Sequence, residues 1–185
     1  MILRINNQPL KTMKSKFTIR LIVFAALMLT LAGMQSAKAQ MYSDRTRFNV
    51  GVDLGIPTGS INNYSSFALG ATARLQMGLG SNVAFTATTG FYNFFGKTYG
   101  NGFKADDEGI VPLKAGVKAF FDKNAYFGAE LGAGFETHSG GSTKLIVSPA
   151  LGYATKEWDL SIRYENFSGQ SFNYGMVAAR LGYSF

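Results

Sequence analysis

The chain has 185 residues, 46% of them hydrophobic, with a formal charge of +7 and no cysteine. Six of its eighteen basic residues (Arg4, Lys11, Lys14, Lys16, Arg20 and Lys38) precede Gln40 and no acidic residue does, leaving twelve basic against eleven acidic groups beyond it. That near-neutral balance removes the electrostatic case for nucleic acid, and the missing thiols exclude disulfides, thiolate metal sites and a lipid-modified amino-terminal cysteine.

Leu21 to Met34 read LIVFAALMLTLAGM, an apolar run of fourteen behind a basic stretch, followed by Ser36, Ala37, Lys38 and Ala39. This predicts a secretory signal over residues 1–39, cut after Ala39. The run is too short for a membrane-spanning helix, which needs roughly 20 apolar residues. Residues 40–185 then have the size of one domain.

From Arg47 onward the period is two. Phe48, Val50, Val52, Leu54 and Ile56 share one face, with Arg47, Asn49, Gly51, Asp53 and Gly55 on the other. The next runs set Phe67, Leu69, Ala71, Ala73, Leu75, Met77 and Leu79 opposite Gly70, Thr72, Arg74 and Gln76, then Val83, Phe85, Ala87, Thr89 and Phe91 opposite Ala84, Thr86, Thr88, Gly90 and Tyr92. A fourth has Val111, Leu113, Ala115, Val117, Ala119 and Phe121 backed by Lys114, Gly116 and Lys118, and a fifth has Phe127 to Phe135 backed by Gly128, Glu130, Gly132, Gly134 and Glu136. Leu145, Val147, Leu151 and Tyr153 mark a sixth strand, Trp158, Leu160, Ile162 and Tyr164 a seventh, and Met176 to Phe185 an eighth.

The predicted connections alternate in length: Pro57 to Ser66, Gly80 to Asn82, Gly96 to Gly109, Asp122 to Asn124, Thr137 to Thr143, Lys156 and Glu157, and Phe167 to Ser171. Long and short in turn is the rhythm of an up-and-down transmembrane barrel, here all-β, antiparallel and eight-stranded. Pro149, which cannot donate to a ladder, predicts a bulge or a lost bond in the sixth strand; Pro112 is expected at a strand end.

Alternation alone fits a soluble barrel as well as a membrane one. The polar face decides: it is rich in glycine, which offers water nothing and weakens a strand but suits a narrow lumen. The apolar face carries no charge, and a basic residue facing lipid at mid-bilayer would cost about 2–4 kcal/mol. Phe121, Trp158, Tyr183 and Phe185 on the turn side, with Phe67, Phe91, Phe135 and Tyr164 on the loop side, read as interfacial girdles.

The export signal, eight alternating strands and the closing GYSF resemble the small outer-membrane β-barrels of the protein A and protein X type, often labelled "porin family" or "outer membrane protein beta-barrel domain". The likeness covers Arg45 to Phe185. It implies an outer-membrane location in a Gram-negative bacterium, outer-membrane lipid as surroundings, and a last strand whose Leu181, Tyr183 and Phe185 are read by the barrel-assembly machinery. It implies no ligand site.

Asp53, Arg74, Lys114, Lys118, Glu130, Asp159, Arg163, Glu165 and Arg180 all fall on the predicted inner face. Unpaired charges there would be costly, so a salt-bridge network is expected. A simple turn at Asp122 to Asn124 sets Glu130 opposite Gly116, with Lys114 and Lys118 on its diagonals. Such a network reads either as a gated ion path or as a plug; with eight strands leaving room only for side chains, the plug is favoured. His138 is the only histidine, which excludes a multi-histidine metal site. It adjoins Ser139, but nothing in the sequence identifies an acid to orient the imidazole, so no catalytic set is read. Asp106, Asp107 and Glu108 close the longest loop as a solvated acidic run without calcium-loop spacing. Tyr64, Tyr99 and Phe103 sit on the same rim.

The expectation is a monomeric barrel with a largely closed polar lumen and a structural or surface-interaction role, with no enzyme activity, cofactor or metal. Passive transport of small or hydrophobic solutes is the alternative and a lipid-modifying enzyme the third. Replacing Gly96 to Gly109 is expected to spare folding and change surface binding.

Overall fold

The computed structural model describes residues 46–80, 82–100, 102–169 and 172–185; the predicted signal at 1–39 lies outside them. Eight strands follow in chain order: β1 (Arg47–Gly59), β2 (Ser65–Gly78), β3 (Val83–Gly96), β4 (Glu108–Phe120), β5 (Ala125–Glu136), β6 (Thr143–Ala154), β7 (Trp158–Ser168) and β8 (Tyr174–Ser184). Each is antiparallel to the next, and β1 pairs with β8 to close the barrel. One short 3₁₀ turn, Ser60–Asn63, joins β1 to β2.

Side-chain direction follows the period of two. Along β1 the residues Val50, Val52, Leu54 and Ile56 point outward, 42% to 68% exposed, while Asn49 and Asp53 on the opposite face are 3% and 1% exposed. A sheet that exposes its aliphatic side and buries its charges is inverted relative to a water-soluble barrel, so hydrocarbon is the medium this exterior suits. The predicted girdle residues Phe121, Trp158, Tyr183, Phe185, Phe67, Phe91, Phe135 and Tyr164 all face outward.

Two strand prolines interrupt a ladder without shifting its register. β6 pairs with β7 through Val147–Asn166 and again through Ala150–Arg163, with the pairs at Ser148 and Pro149 missing between them. Pro149 therefore costs a bond, as expected, and produces no bulge. Pro112 corrects the sequence reading: it lies inside β4, not at a strand end, and its pairing with β3 is absent between Leu113 and Ile110. The Thr89 hydroxyl donates to the Pro112 carbonyl at 3.0 Å across that gap.

Two connections begin later than predicted. β1 continues through Pro57, which pairs with Met176 of β8 alone, because the ladder to β2 has ended at Gly55–Ala68. β7 continues through Phe167 and β8 begins at Tyr174, and these two residues pair. The sequence reading puts Phe167 in a loop; it is a fully buried lumen residue.

Candidate functional site

The lumen is filled in layers. Nearest the short turns, Phe120 and Tyr126 pack at 5.4 Å between ring centroids, with Ala84 and Ala154 beside them. Toward the loops, Tyr92, Phe94, Phe167 and Tyr174 form a second aromatic layer with Ile110, Ile146 and Met176; Phe94 meets Phe167 and Tyr174 edge-on at 5.9 and 5.8 Å. Glycine makes the room: a Cβ on Gly70 would collide with the Tyr92 ring, and one on Gly152 with the Tyr126 ring.

Between the layers lies the ionic network, and all nine predicted residues face it, each buried. Glu130 is the hub. It accepts hydrogen bonds from the Thr86 and Thr88 hydroxyls at 3.0 and 2.7 Å, and lies 3.3 Å from Arg74 and 3.5 Å from both Lys114 and Arg163. Glu130 stands opposite Gly116 as the register predicts, and Lys114 reaches it. Lys118 does not: its ammonium bonds Asp159, which also accepts from the Tyr126 hydroxyl at 2.6 Å.

Lys114 bonds Glu165 at 2.6 Å, and Tyr92 donates to the same carboxylate at 3.2 Å. Asp53 accepts from Thr72 at 2.8 Å and faces Arg163 and Arg180, each at 3.8 Å. Arg180 donates to Thr72 at 3.0 Å and to Asn49 at 2.5 Å. The network thus recruits Asn49, Thr72, Thr86, Thr88, Tyr92 and Tyr126, which the sequence reading assigns to no site. Their signal is position on the polar face beside a charge.

Inside this core, the cavity bounded by Arg74, Thr86, Glu130, Ser148 and Arg163 measures about 10 Å³, room for roughly one water molecule. At the loop end a cavity of about 620 Å³ opens, floored by Phe94 and Tyr174 and walled by Tyr64, Glu108, Glu136, His138, Lys144 and Phe172. His138 is an exposed loop residue here, and its Nδ1 is 2.9 Å from Glu108 Oε1. The hydrogen bond and charge of that carboxylate raise the imidazole above its ordinary value. An acid beside His138 is therefore present, although the sequence reading identifies none.

Several contacts tie down the described residues of the 97–107 connection. Thr98 and Lys104 bridge, Tyr99 N–H donates to the Phe103 carbonyl at 2.8 Å, and the Tyr99 hydroxyl donates to Asn63 O at 2.7 Å. Asp107 accepts from Gly96 N–H at 2.9 Å and pairs with Lys104 at 3.3 Å, and these contacts lower its carboxyl below the usual range. Tyr64 and Phe103 are exposed, and Tyr99 less so. Leu181, Tyr183 and Phe185 face outward on β8 and at its end, where Tyr183 meets Trp158 edge-on at 5.2 Å.

No family model matches the sequence, and no curated protein matches it. Solved structures do match in shape. The crystal structure of Ail, the attachment invasion locus protein of Yersinia pestis, superposes with a TM-score of 0.57 at 13% identity, covering 76% of this chain and 97% of that one. A second crystal structure of Ail, in complex with the heparin analogue sucrose octasulfate, gives 0.54 at 11% identity over 76% and 99%. A de novo designed transmembrane β-barrel gives 0.50 at 14% identity over 78% and 99%. The chain has the fold of the small eight-stranded outer-membrane β-barrels.

Proposed function

We propose that this protein is an integral barrel of the Gram-negative outer membrane, exported by its signal and monomeric, whose closed lumen makes it a scaffold that presents its loops for surface interactions. The lumen carries the reading. Two aromatic layers and a cross-barrel ionic network fill the lumen, and the cavity beside Glu130 measures about 10 Å³, too small for a hydrated ion or solute to pass. The outward aliphatic face supports the lipid environment, and the exposed Leu181, Tyr183 and Phe185 are the residues offered to the assembly machinery during insertion.

One Ail structure holds the heparin analogue sucrose octasulfate. That chemistry is not carried to the mouth of this barrel, whose lining holds Asp106, Glu108 and Glu136 against Lys144 and His138. A polyanion is repelled there.

Planar-bilayer recordings of the refolded protein test the plug. Absence of discrete conductance steps is expected. Steady currents of porin size would replace the scaffold with passive solute transport.

A further inference from the structure

We propose that Glu108, Glu136 and His138 form a binding site for a divalent transition-metal ion of the zinc class at the loop end of the barrel. One carboxylate oxygen from each glutamate and one ring nitrogen of His138 lie within 4.8 Å of one another. Ligands bound at about 2.0–2.1 Å around a tetrahedral zinc stand roughly 3.5 Å apart, so a small side-chain adjustment closes the set.

The backbone brings these residues together. β4 and β5 pair in an unbroken register that ends at Ile110–Glu136, and Thr137 N–H donates to the Gly109 carbonyl at 2.9 Å just beyond it. That register carries Glu108 to a place opposite His138, while Glu136 and His138, two apart, share the inward face.

Hydrogen bonds already orient Glu136. Ser142 donates to its Oε2 from both N–H and hydroxyl, at 2.9 and 2.7 Å, and Tyr174 donates to its Oε1 at 2.9 Å. Such outer contacts are the usual supports of a ligating carboxylate. Tyr174 takes one lone pair of Oε1, and Lys144, which donates to the Phe172 carbonyl at 3.2 Å, lies 3.5 Å from the same oxygen, so an incoming ion displaces that longer contact from the second lone pair.

Charge and space agree with a dication. With His138 neutral, Asp106, Glu108 and Glu136 against Lys144 leave the lining two charges negative. The 620 Å³ cavity borders all three ligands, so the remaining coordination positions open onto water. The nitrogen donor favours zinc, nickel or copper over calcium, which prefers six to eight oxygens.

The test is calorimetric titration of Zn²⁺ into the refolded, detergent-solubilised protein in metal-free buffer, alongside His138→Ala and Glu108→Gln. One ion per barrel is expected, with Kd weakened about tenfold or more in each variant. Glu108→Gln alters a partly exposed rim residue, and retained barrel circular dichroism separates lost binding from lost fold. His138 is the only histidine, so its ring NMR signals should shift on Zn²⁺ addition and stay unmoved by Ca²⁺. No saturable Zn²⁺ binding, binding that both variants retain at wild-type affinity, or an unshifted imidazole at saturation would each overturn the proposal.

Discussion

Lys114 Nζ and Glu165 Oε1 lie 2.6 Å apart with neither side chain exposed to solvent, and because β4 and β7 are not neighbours this bond crosses the lumen. It ties two walls of the barrel that no backbone ladder joins. Removing one partner leaves the other charge buried, at a typical cost of about 3–5 kcal/mol, whereas replacing both with apolar groups is often close to neutral. Lys114→Met should therefore lower the urea midpoint of the refolded barrel far more than the double variant Lys114→Met, Glu165→Leu. Equal losses in single and double variants would mean that the pair contributes by packing alone.

Gly70 sits beneath the Tyr92 ring, in contact too close for any Cβ. Gly70→Ala should destabilise by about 1–3 kcal/mol through overpacking. Tyr92→Leu, which removes the obstructing ring, should restore part of that loss when combined with it. Strictly additive unfolding free energies in this pair would show that the two residues do not compete for the same space.

The strands are legible in the sequence because the exterior and the central lumen obey one rule, apolar out and polar in. The rule fails toward the ends of the barrel. Phe94, Phe120, Phe167 and Tyr174 are aromatic and point inward, so a reading that sorts faces by polarity puts Phe167 in a loop and begins the last strand two residues late. Aromatic layers cap the charges at both ends, and no local pattern announces that. Periodicity finds the ionic residues and the diagonal pair Lys114–Glu130, but not the rest of the pairing: Lys118 chooses Asp159 over the diagonal Glu130, a choice made across the lumen. The Glu108–His138 contact is within reach of the sequence. Register set at Gly116–Glu130 arrives there eight residues further along each strand.

Pro149 faces outward and breaks the β6–β7 ladder for two pairs. Pro149→Val supplies the missing donor on an apolar, lipid-facing position and should add roughly 0.5–1.5 kcal/mol, the usual net value of one hydrogen bond. Amide exchange checks this directly. The backbone N–H introduced by the substitution should be protected to the same degree as its strand neighbours, and free exchange would show that the gap has another cause.

Leu131 points outward at 57% exposure, next in sequence to the buried hub Glu130. An arginine there meets the hydrocarbon, so Leu131→Arg should cost about 2–4 kcal/mol in folding into lipid vesicles. Phe172→Arg, at an exposed loop position beside the mouth, should change folding little. Both substitutions add one positive charge, which makes each the control for the other. If Leu131→Arg inserted with an unchanged midpoint, the aliphatic side of the wall would not be the side that meets lipid.

The 97–107 connection divides into a tip and two supports. Gly96 donates to Asp107 and Lys97 N–H to the Tyr64 carbonyl at 2.7 Å, contacts that anchor its ends to the barrel rim, while Thr98 and Lys104 bridge across its tip. Replacing 98–104 with a short Gly-rich turn should leave the unfolding midpoint within about 0.5 kcal/mol of the parent, since loop-closure entropy varies slowly with length and the tip buries little. Any adhesion of the folded barrel to cells or matrix should fall with it, because Phe103 leaves the surface and Tyr99 loses its hold on Asn63. Carrying the replacement out to Gly96 and Gly109 would also remove strand ends, including the carbonyl that receives Thr137, and should cost measurable stability. A tip replacement that abolished insertion would assign the hairpin to assembly and not to the surface.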